Sequence, residues 1–359
     1  MILTIALVII LFSLLVIAHE LGHFMVARRN GVKVDEFGLG FPPKLFGKTV
    51  NGTLYSLNLF LFGGFVRLKG EDQADKAQDS LSAQSYRVKS KIVLAGVAVN
   101  FSIAYFIILL LMVFGMPSIL PSGFISVGPI KPYKIETSAL KAVAISKDSA
   151  AENAGITTGT EIISVNGTAI TSEDQLKSIT SSNAGNVVEI TTRPRGGEPK
   201  TLQVQLGSDA SKGYLGLAAQ SEQRAFYNPL VAIIGAIIAT FYLAVLTISA
   251  FGDFLVGLFS KAQVSNNVAG PVGIVSIFGS VMEYGWRYIL AFTASISLSL
   301  AVINSLPIPA LDGGRFALMS ITRLGVKIKP ETEALMHWLG FGFLIILIII
   351  VTISDISRL

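Results

Sequence analysis

Ala18-His19-Glu20-Leu21-Gly22-His23 lies inside an apolar run that begins at Ile2. On a helix, positions i and i+4 share one face, so the imidazoles of His19 and His23 can reach one metal ion, with Glu20 beside the first ligand. The pattern is H-E-x-x-H, a helix signature of zinc hydrolases. Its setting is a membrane. Ile2 to Ile17 carries no charge and reads as the first part of a spanning helix. Ionisable side chains at that depth cost about 2.5–3.5 kcal/mol each, and a metal is the partner that offsets this.

The composition agrees. Of 359 residues, 52% are hydrophobic and only 14% charged, which places much of the chain in lipid as a polytopic α-helical membrane protein. The net charge of +5 sits beside apolar runs, as the positive-inside rule expects, and assigns no nucleic-acid role. There is no cysteine, so disulfides and thiolate metal sites are excluded. A metal must be held by histidine and carboxylate. The histidines are His19, His23 and His337, and His337, at the head of the last apolar run, is expected at the interface and not as a ligand. The N-terminus shows no basic region or cleavage site, so Ile2 to Ala27 reads as a retained span.

Working outward, residues 1–116 form an N-terminal membrane core with two spans, about Ile2–Ala27 and Ile92–Phe114. The loop between them carries Arg28, Arg29, Lys33, Arg67, Lys69, Arg87, Lys89 and Lys91, which makes it cytoplasmic and the N-terminus extracytoplasmic. Within it, Thr53–Lys69 is expected to be two strands joined at Gly63-Gly64, a membrane-associated β-hairpin or sheet whose exposed edge can pair with an extended peptide. Asn100, in the second span, is either a helix-packing amide or a second-layer group near the metal. Residues 117–222 are the one soluble-looking segment. Residues 223–285 comprise a long apolar helix, Leu230–Phe259, and a Gly-Pro break at Asn266–Ile274. Parity favours an interfacial or partly buried helix with Asp253 and Lys261 facing polar surroundings; the alternative is a crossing that returns through Val272–Val281. Residues 286–359 form the C-terminal membrane core, with spans at about Tyr288–Leu306 and Trp338–Ile353. The count is about four transmembrane helices, with both termini extracytoplasmic.

A catalytic zinc site needs three protein ligands and an open position. His19 and His23 supply two. Asp312 follows a span that ends at the same cytosolic depth, and the broken backbone Asn304-Ser-Leu-Pro307-Ile-Pro309-Ala-Leu-Asp312-Gly-Gly can turn it inward. Glu20 is then the general base, taking a proton from the water that attacks a peptide carbonyl and passing it to the leaving amine. Asn304 and the backbone around Pro307 and Pro309 are candidate donors to an extended substrate. Two rivals remain at this point: a membrane-anchored zincin with Glu331 or Glu333 as third ligand, and a zinc transporter or inactive scaffold.

Two resemblances sharpen these expectations. Residues 143–217, with Ser149-Ala-Ala-Glu-Asn-Ala-Gly155, Gly159-Thr-Glu-Ile-Ile-Ser-Val-Asn166-Gly167 and Gly213-Tyr-Leu-Gly-Leu217, resemble a bacterial PDZ domain in its circularly permuted form, with the last segment as the carboxylate-loop strand. This implies an inserted α+β domain that takes an extended peptide or C-terminus. The chain as a whole resembles the intramembrane metalloproteases of the site-2 protease type, in their bacterial, PDZ-containing branch. The resemblance rests on His19-Glu-Leu-Gly-His23, Phe37-Gly-Leu-Gly-Phe41-Pro-Pro-Lys, Gly63-Gly-Phe-Val-Arg-Leu-Lys-Gly-Glu71, Gly96-x-x-x-Asn100, Gly270-Pro-Val-Gly-Ile274 and Asn304–Gly314. It implies one zinc per chain on His19, His23 and Asp312, Glu20 as base, and Asn304 on substrate backbone. It also implies a β-element including Gly63, Gly64, Phe65, Val66 and Arg67 that aligns the substrate as a strand. The implied substrates are single-span membrane proteins, such as shortened anti-sigma factors, and remnant signal peptides. The implied location is the bacterial cytoplasmic membrane, with the active site near the cytosolic face and the PDZ domain outside. Val97 departs from the family, which usually has Pro there, and there is one PDZ domain where some relatives have two.

Overall fold

The computed structural model describes residues 2–358 apart from 72–74, 119–125, 127–128, 195, 209–213 and 262–267. Gly213 of the expected carboxylate-loop strand and Asn266 of the expected Gly-Pro break lie outside the described residues, as does the Lys261 side chain. In chain order the elements are α1 (Ile2–Arg29), β1 (Val34–Val50), β2 (Thr53–Leu68), α2 (Tyr86–Val93), α3 (Ala95–Phe114), β3 (Met116–Pro117), β4 (Lys134–Ile145), α4 (Ala150–Asn153), β5 (Glu161–Val165), β6 (Thr168–Ala169), α5 (Glu173–Ser182), β7 (Val187–Arg193), β8 (Lys200–Gln205), β9 (Leu217–Phe226), α6 (Pro229–Lys261), α7 (Pro271–Tyr284), α8 (Trp286–Ser305), α9 (Asp312–Arg323) and α10 (Pro330–Ser357). They fall into two compact units, 1–111 with 233–359, and 112–232.

In the first unit, five helices among the described residues are long and apolar enough to cross a membrane: Ile2–Arg29, Ala95–Phe114, Pro229–Ser260, Trp286–Ser305 and Glu331–Ser357. This is one more than the four expected. The additional one is α6, an unbroken helix of 33 residues, about 50 Å at 1.5 Å per residue. Asp253 is exposed on it. The 14-residue α7 reaches only about 21 Å, short of a bilayer core of about 30 Å. It starts where Gly270-Pro271 breaks the chain. There the buried Asp355 of α10 accepts the backbone N–H of Gly270 at 3.3 Å and of Gly273 at 2.7 Å. A side chain from a distant helix thus caps α7, whose own first residues offer no side-chain cap.

The expected hairpin within Thr53–Lys69 is not what forms. Thr53–Leu68 is a single 16-residue strand, and its partner is β1. The turn joining them is Asn51-Gly52, both at positive φ (49° and 79°), as a two-residue hairpin turn requires. Both strands then fold back on themselves. The ladder out of the turn is antiparallel, from Val50↔Thr53 to Lys44↔Asn58, and Val34–Leu39 pairs antiparallel with Gly64–Leu68. Between these, the partners advance together from Glu36↔Leu54 to Leu39↔Leu57. The result is a sheet of four rows in the order 44–50, 53–58, 34–39, 64–68. Gly63-Gly64 is therefore the start of an edge row and not a turn between two short strands.

In the second unit, the strands form one sheet in the order β3-β9-β4-β5-β7-β8, with β6 on β5. Leu140, Ile162, Val165, Val188, Ile190 and Val204 fill its core, together with Ala151 of α4 and Leu176 of α5. Ser149 and Ser172 cap the two helices by accepting from the backbone N–H of Glu152 and Gln175. Asn166-Gly167 makes the β5–β6 turn, with φ of 49° and 76°. The last strand corrects the expected boundary at 222. It begins at Leu217 and runs on to Phe226, because the antiparallel register with β4 continues to Lys134↔Phe226.

Candidate active site

Three elements of the first unit bring one group of donors together. On α1, His19 and His23 are buried, one turn apart, with Nε2 atoms 3.1 Å from each other. Asp312, the first residue of α9, places Oδ2 3.0 Å from His19 Nε2 and 3.3 Å from His23 Nε2. A helix N-terminus favours a carboxylate at that position. This is the one group of three or more potential metal ligands found among the described residues.

The hydrogen bonding of the far ring atoms decides what the cluster can hold. His23 Nδ1 lies 2.8 Å from the Ile92 carbonyl, an acceptor, so Nδ1 carries the proton and Nε2 is bare. The Asn100 amide lies 3.4 Å from His19 Nδ1, and Asn100 Oδ1 has no other partner. Amide oxygen and nitrogen are distinguished by their network, and turning the amide so that Oδ1 accepts His19 Nδ1–H gives this ring the same tautomer as His23. His19 Nε2 is then bare as well. Asp312 Oδ2 is buried without a donor. Three lone pairs thus converge with no proton between them, an arrangement that calls for a cation. Zinc bonds of about 2.0–2.1 Å at tetrahedral angles set donors about 3.3 Å apart, close to the separations here. Gly96 leaves room on the same side: a Cβ there would stand 2.5 Å from His23 Nε2 and 2.6 Å from His19 Nε2. The donor set fits zinc.

The break before α9 is packed from two sides. Cβ atoms at Gly313 and Gly314 would collide with the carbonyls of Ser305, Leu306 and Ile308, so only glycine lets the chain turn tightly enough to aim Asp312 at the histidines. His337 Nδ1 accepts the Ala310 N–H at 2.9 Å, and Gly340 lies against the Pro309 carbonyl. His337 holds the turn and does not join the group of His19, His23 and Asp312. Asn304 is half-buried near the end of α8, Pro307 is exposed and Pro309 half-buried.

The edge row of the β-sheet passes the same helix face. A Cβ at Gly63 would meet Val16 at 3.2 Å, and one at Gly64 would lie 3.8 Å from Glu20 Cγ, so Gly63 and Gly64 run beside the residue next to the first histidine. The Phe65 ring covers Gly38. Arg67 reaches Glu36 at 3.4 Å and stacks 5.8 Å from the Phe65 centroid. Lys69 N–H bonds Lys33 O at 3.0 Å, whereas Leu68 N–H turns the other way to Glu71 Oε2 at 2.9 Å. Alternation puts the Val66 and Gly64 N–H groups on the Leu68 side, away from β1. Glu71 also pairs with Arg315, which ties the end of this row to the helix that carries Asp312. Nothing in the sequence pairs Glu71 with Arg315; the only local signal is an arginine three residues beyond Asp312.

The sequence model described as "Peptidase family M50" matches residues 7–348. A Clostridium perfringens protein described as a "putative zinc metalloprotease" is 32% identical over 348 residues, covering 96% of each chain. "Zinc metalloprotease RasP" of Geobacillus kaustophilus is 25% identical over 433 residues, covering 98% of this chain and 97% of that one. Among solved structures, the PDZ domain of an SdrC-like protein from Listeria monocytogenes is similar to part of the chain. It is 17% identical and covers 26% of this chain and 93% of its own, with a TM-score of 0.21.

Proposed function

This chain belongs to peptidase family M50 and is a zinc metalloendopeptidase of the membrane, and from that premise we propose that it cleaves peptide bonds within or near the transmembrane segment of single-span membrane proteins. Anti-sigma factors and remnant signal peptides are the substrate types in view. The observation that carries the reading is the convergence of His19 Nε2, His23 Nε2 and Asp312 Oδ2 on helices that are long and apolar enough to lie in a bilayer.

In this reading His19, His23 and Asp312 hold one zinc per chain. Zinc, when bound, acts as a Lewis acid towards a carbonyl and makes water acidic enough to attack near neutral pH. Glu20 takes the proton of the attacking water and delivers it to the leaving amine. Asn100 and the Ile92 carbonyl fix the tautomers of the two imidazoles. The edge row holding Gly63, Gly64, Phe65, Val66 and Arg67 lines up the substrate by strand addition through the Gly64 and Val66 N–H groups, with Gly64 beside Glu20. Unwinding a substrate helix into a strand is what exposes its carbonyl to attack. Asn304 and the turn at Pro307 and Pro309 complete the cleft from the other side. The unit at 112–232 is read as a PDZ-like domain that takes an extended peptide or C-terminus. The basic residues flanking α1 and α3 favour a bacterial inner-membrane orientation with the catalytic cluster near the cytosol, and the inserted unit and both termini outside.

The Glu20→Gln variant tests the assignment. It is expected to retain about one zinc per chain by metal analysis and to lose cleavage of a model single-span substrate by at least about 100-fold, the scale of a lost general base. Cleavage that persists at the wild-type rate sinks Glu20 as the base.

A further inference from the structure

A groove of about 610 Å3 opens between α1 and the α2–α3 segment, on the far side of the helix seam from the zinc ligands. Its wall is mostly apolar, with Met25 on one side and Leu94 and Ala98 on the other, and Arg29 and Lys91 line the same groove. Both cations are exposed. Some cations of this region are paired with acids, Lys33 with Asp35, Lys69 with Asp79 and Arg315 with Glu71, while Arg28 lies over the Phe24 ring and Lys89 donates to the Ser82 carbonyl. Arg29 and Lys91 have no acidic partner among the described residues. Arg29 is the last residue of α1, and Lys91 lies in the short α2 just before the apolar α3 begins, where a bilayer gives way to its headgroups.

We propose that this groove is a binding site for one anionic phospholipid, its phosphate held between Arg29 and Lys91 and one acyl chain lying along Met25, Leu94 and Ala98. The charge pattern is what selects this occupant: two unpaired cations at the mouth of an apolar slot match a lipid with an extra negative charge, and basic pockets between membrane helices bind such headgroups. The size agrees. From Lys91 to Ser102, which also lines the groove, the helical rise amounts to about 16 Å, enough for most of an acyl chain. The site has a structural consequence, because its floor is the seam where Gly22 meets Ala95; a Cβ at Gly22 would stand 2.8 Å from the Ala95 carbonyl. The same seam sets Gly96 against His19 and His23. A lipid in the groove braces the α1–α3 contact from behind.

The test uses the full chain, purified in detergent, delipidated and titrated with phosphatidylglycerol or phosphatidylcholine of equal acyl length, with bound lipid counted by native mass spectrometry. Wild type is expected to hold one phosphatidylglycerol with a preference of about 25-fold, about fivefold for each cation. The Arg29→Gln/Lys91→Gln double variant loses the preference, and Arg29→Lys/Lys91→Arg keeps it. Ala98→Phe, which fills the slot, loses the tightly held lipid. Zinc content equal to wild type in each variant shows that the fold is intact. Equal retention of the two lipids by wild type overturns the proposal. So does an undiminished preference in the double glutamine variant, or a photo-crosslinker at position 98 that captures a second copy or a substrate peptide in place of lipid.

Discussion

At position 96 a β-carbon would occupy space within 2.6 Å of the Nε2 atoms of His19 and His23, and the atoms it would meet are rings held by Ile92 and Asn100, not the free ends of flexible side chains. Gly96→Val is therefore expected to lower zinc affinity by at least about tenfold, the lower end of what disturbing ligand orientation costs, as read by competition with a chelator. Wild-type zinc affinity in that variant would mean that α3 lies farther from the histidines. The meeting of His19 and His23 follows from local spacing, and their approach to Asp312 from a broken helix end at matching depth that narrows the choice of carboxylate. The contacts that aim these groups were not legible. Glu71 with Arg315, and the Ala310 N–H with His337, join residues far apart in the chain, and no spacing rule marks a pair of that kind. The place of His337 on the turn before Asp312 depends on how α10 packs, which only the tertiary structure supplies.

Among the elements, the β-sheet was the poorest match to its sequence. Gly63-Gly64 looks like a turn, whereas Asn51-Gly52, the stronger two-residue hairpin signal, is where the chain reverses. The folding back of each long strand comes from pairing between segments, which alternation within one segment does not reveal. The edge row nevertheless allows a sharp test. Val66→Pro removes an N–H that faces away from β1 and so spares the ladder. Cleavage of a single-span substrate is expected to fall at least about tenfold, as when a substrate hydrogen bond is lost, with zinc content unchanged; full activity would separate this row from substrate alignment. The segment after the row carries its own pH signature. The Lys69 ammonium lies 2.7 Å from Asp79 and holds the Asp79 carboxyl below its ordinary pKa, while that hydrogen bond raises the Lys69 pKa. A depressed carboxylate contributes stability above its unfolded pKa, about 3.9, and loses it as pH falls through the folded value; a raised lysine contributes below about 10.4 and loses it above. Protection of the Leu81 amide, which bonds Lys69 O at 2.8 Å, is thus expected to hold between those limits and to drop below about pH 4. Asp79→Asn should show the low protection already at pH 7, measured by hydrogen exchange corrected for intrinsic rates.

Over the whole chain, the division into an apolar part and an inserted sheet was visible in composition, and the inserted unit carries a core made from its own strands and two short helices. Residues 112–232 expressed alone are therefore expected to unfold in one cooperative transition by circular dichroism, and the chain with 117–226 replaced by a short linker to keep about one zinc. Loss of zinc on that replacement would show that the membrane part needs the insert to form its site. The number of crossings was harder to read, because length and apolarity permit α6 to span while parity argued against it. The tight turn before α9 also bears on how this chain can change over time. Every missense substitution one base away from a glycine codon introduces a side chain with a β-carbon, and at Gly313 and Gly314 that atom meets carbonyl oxygens of the preceding turn. Neither position has a neighbouring amino acid in the genetic code that the fold accepts. A lineage that altered either residue would have to rebuild the turn first, so these two codons should be among the last to drift while proteolysis is still under selection.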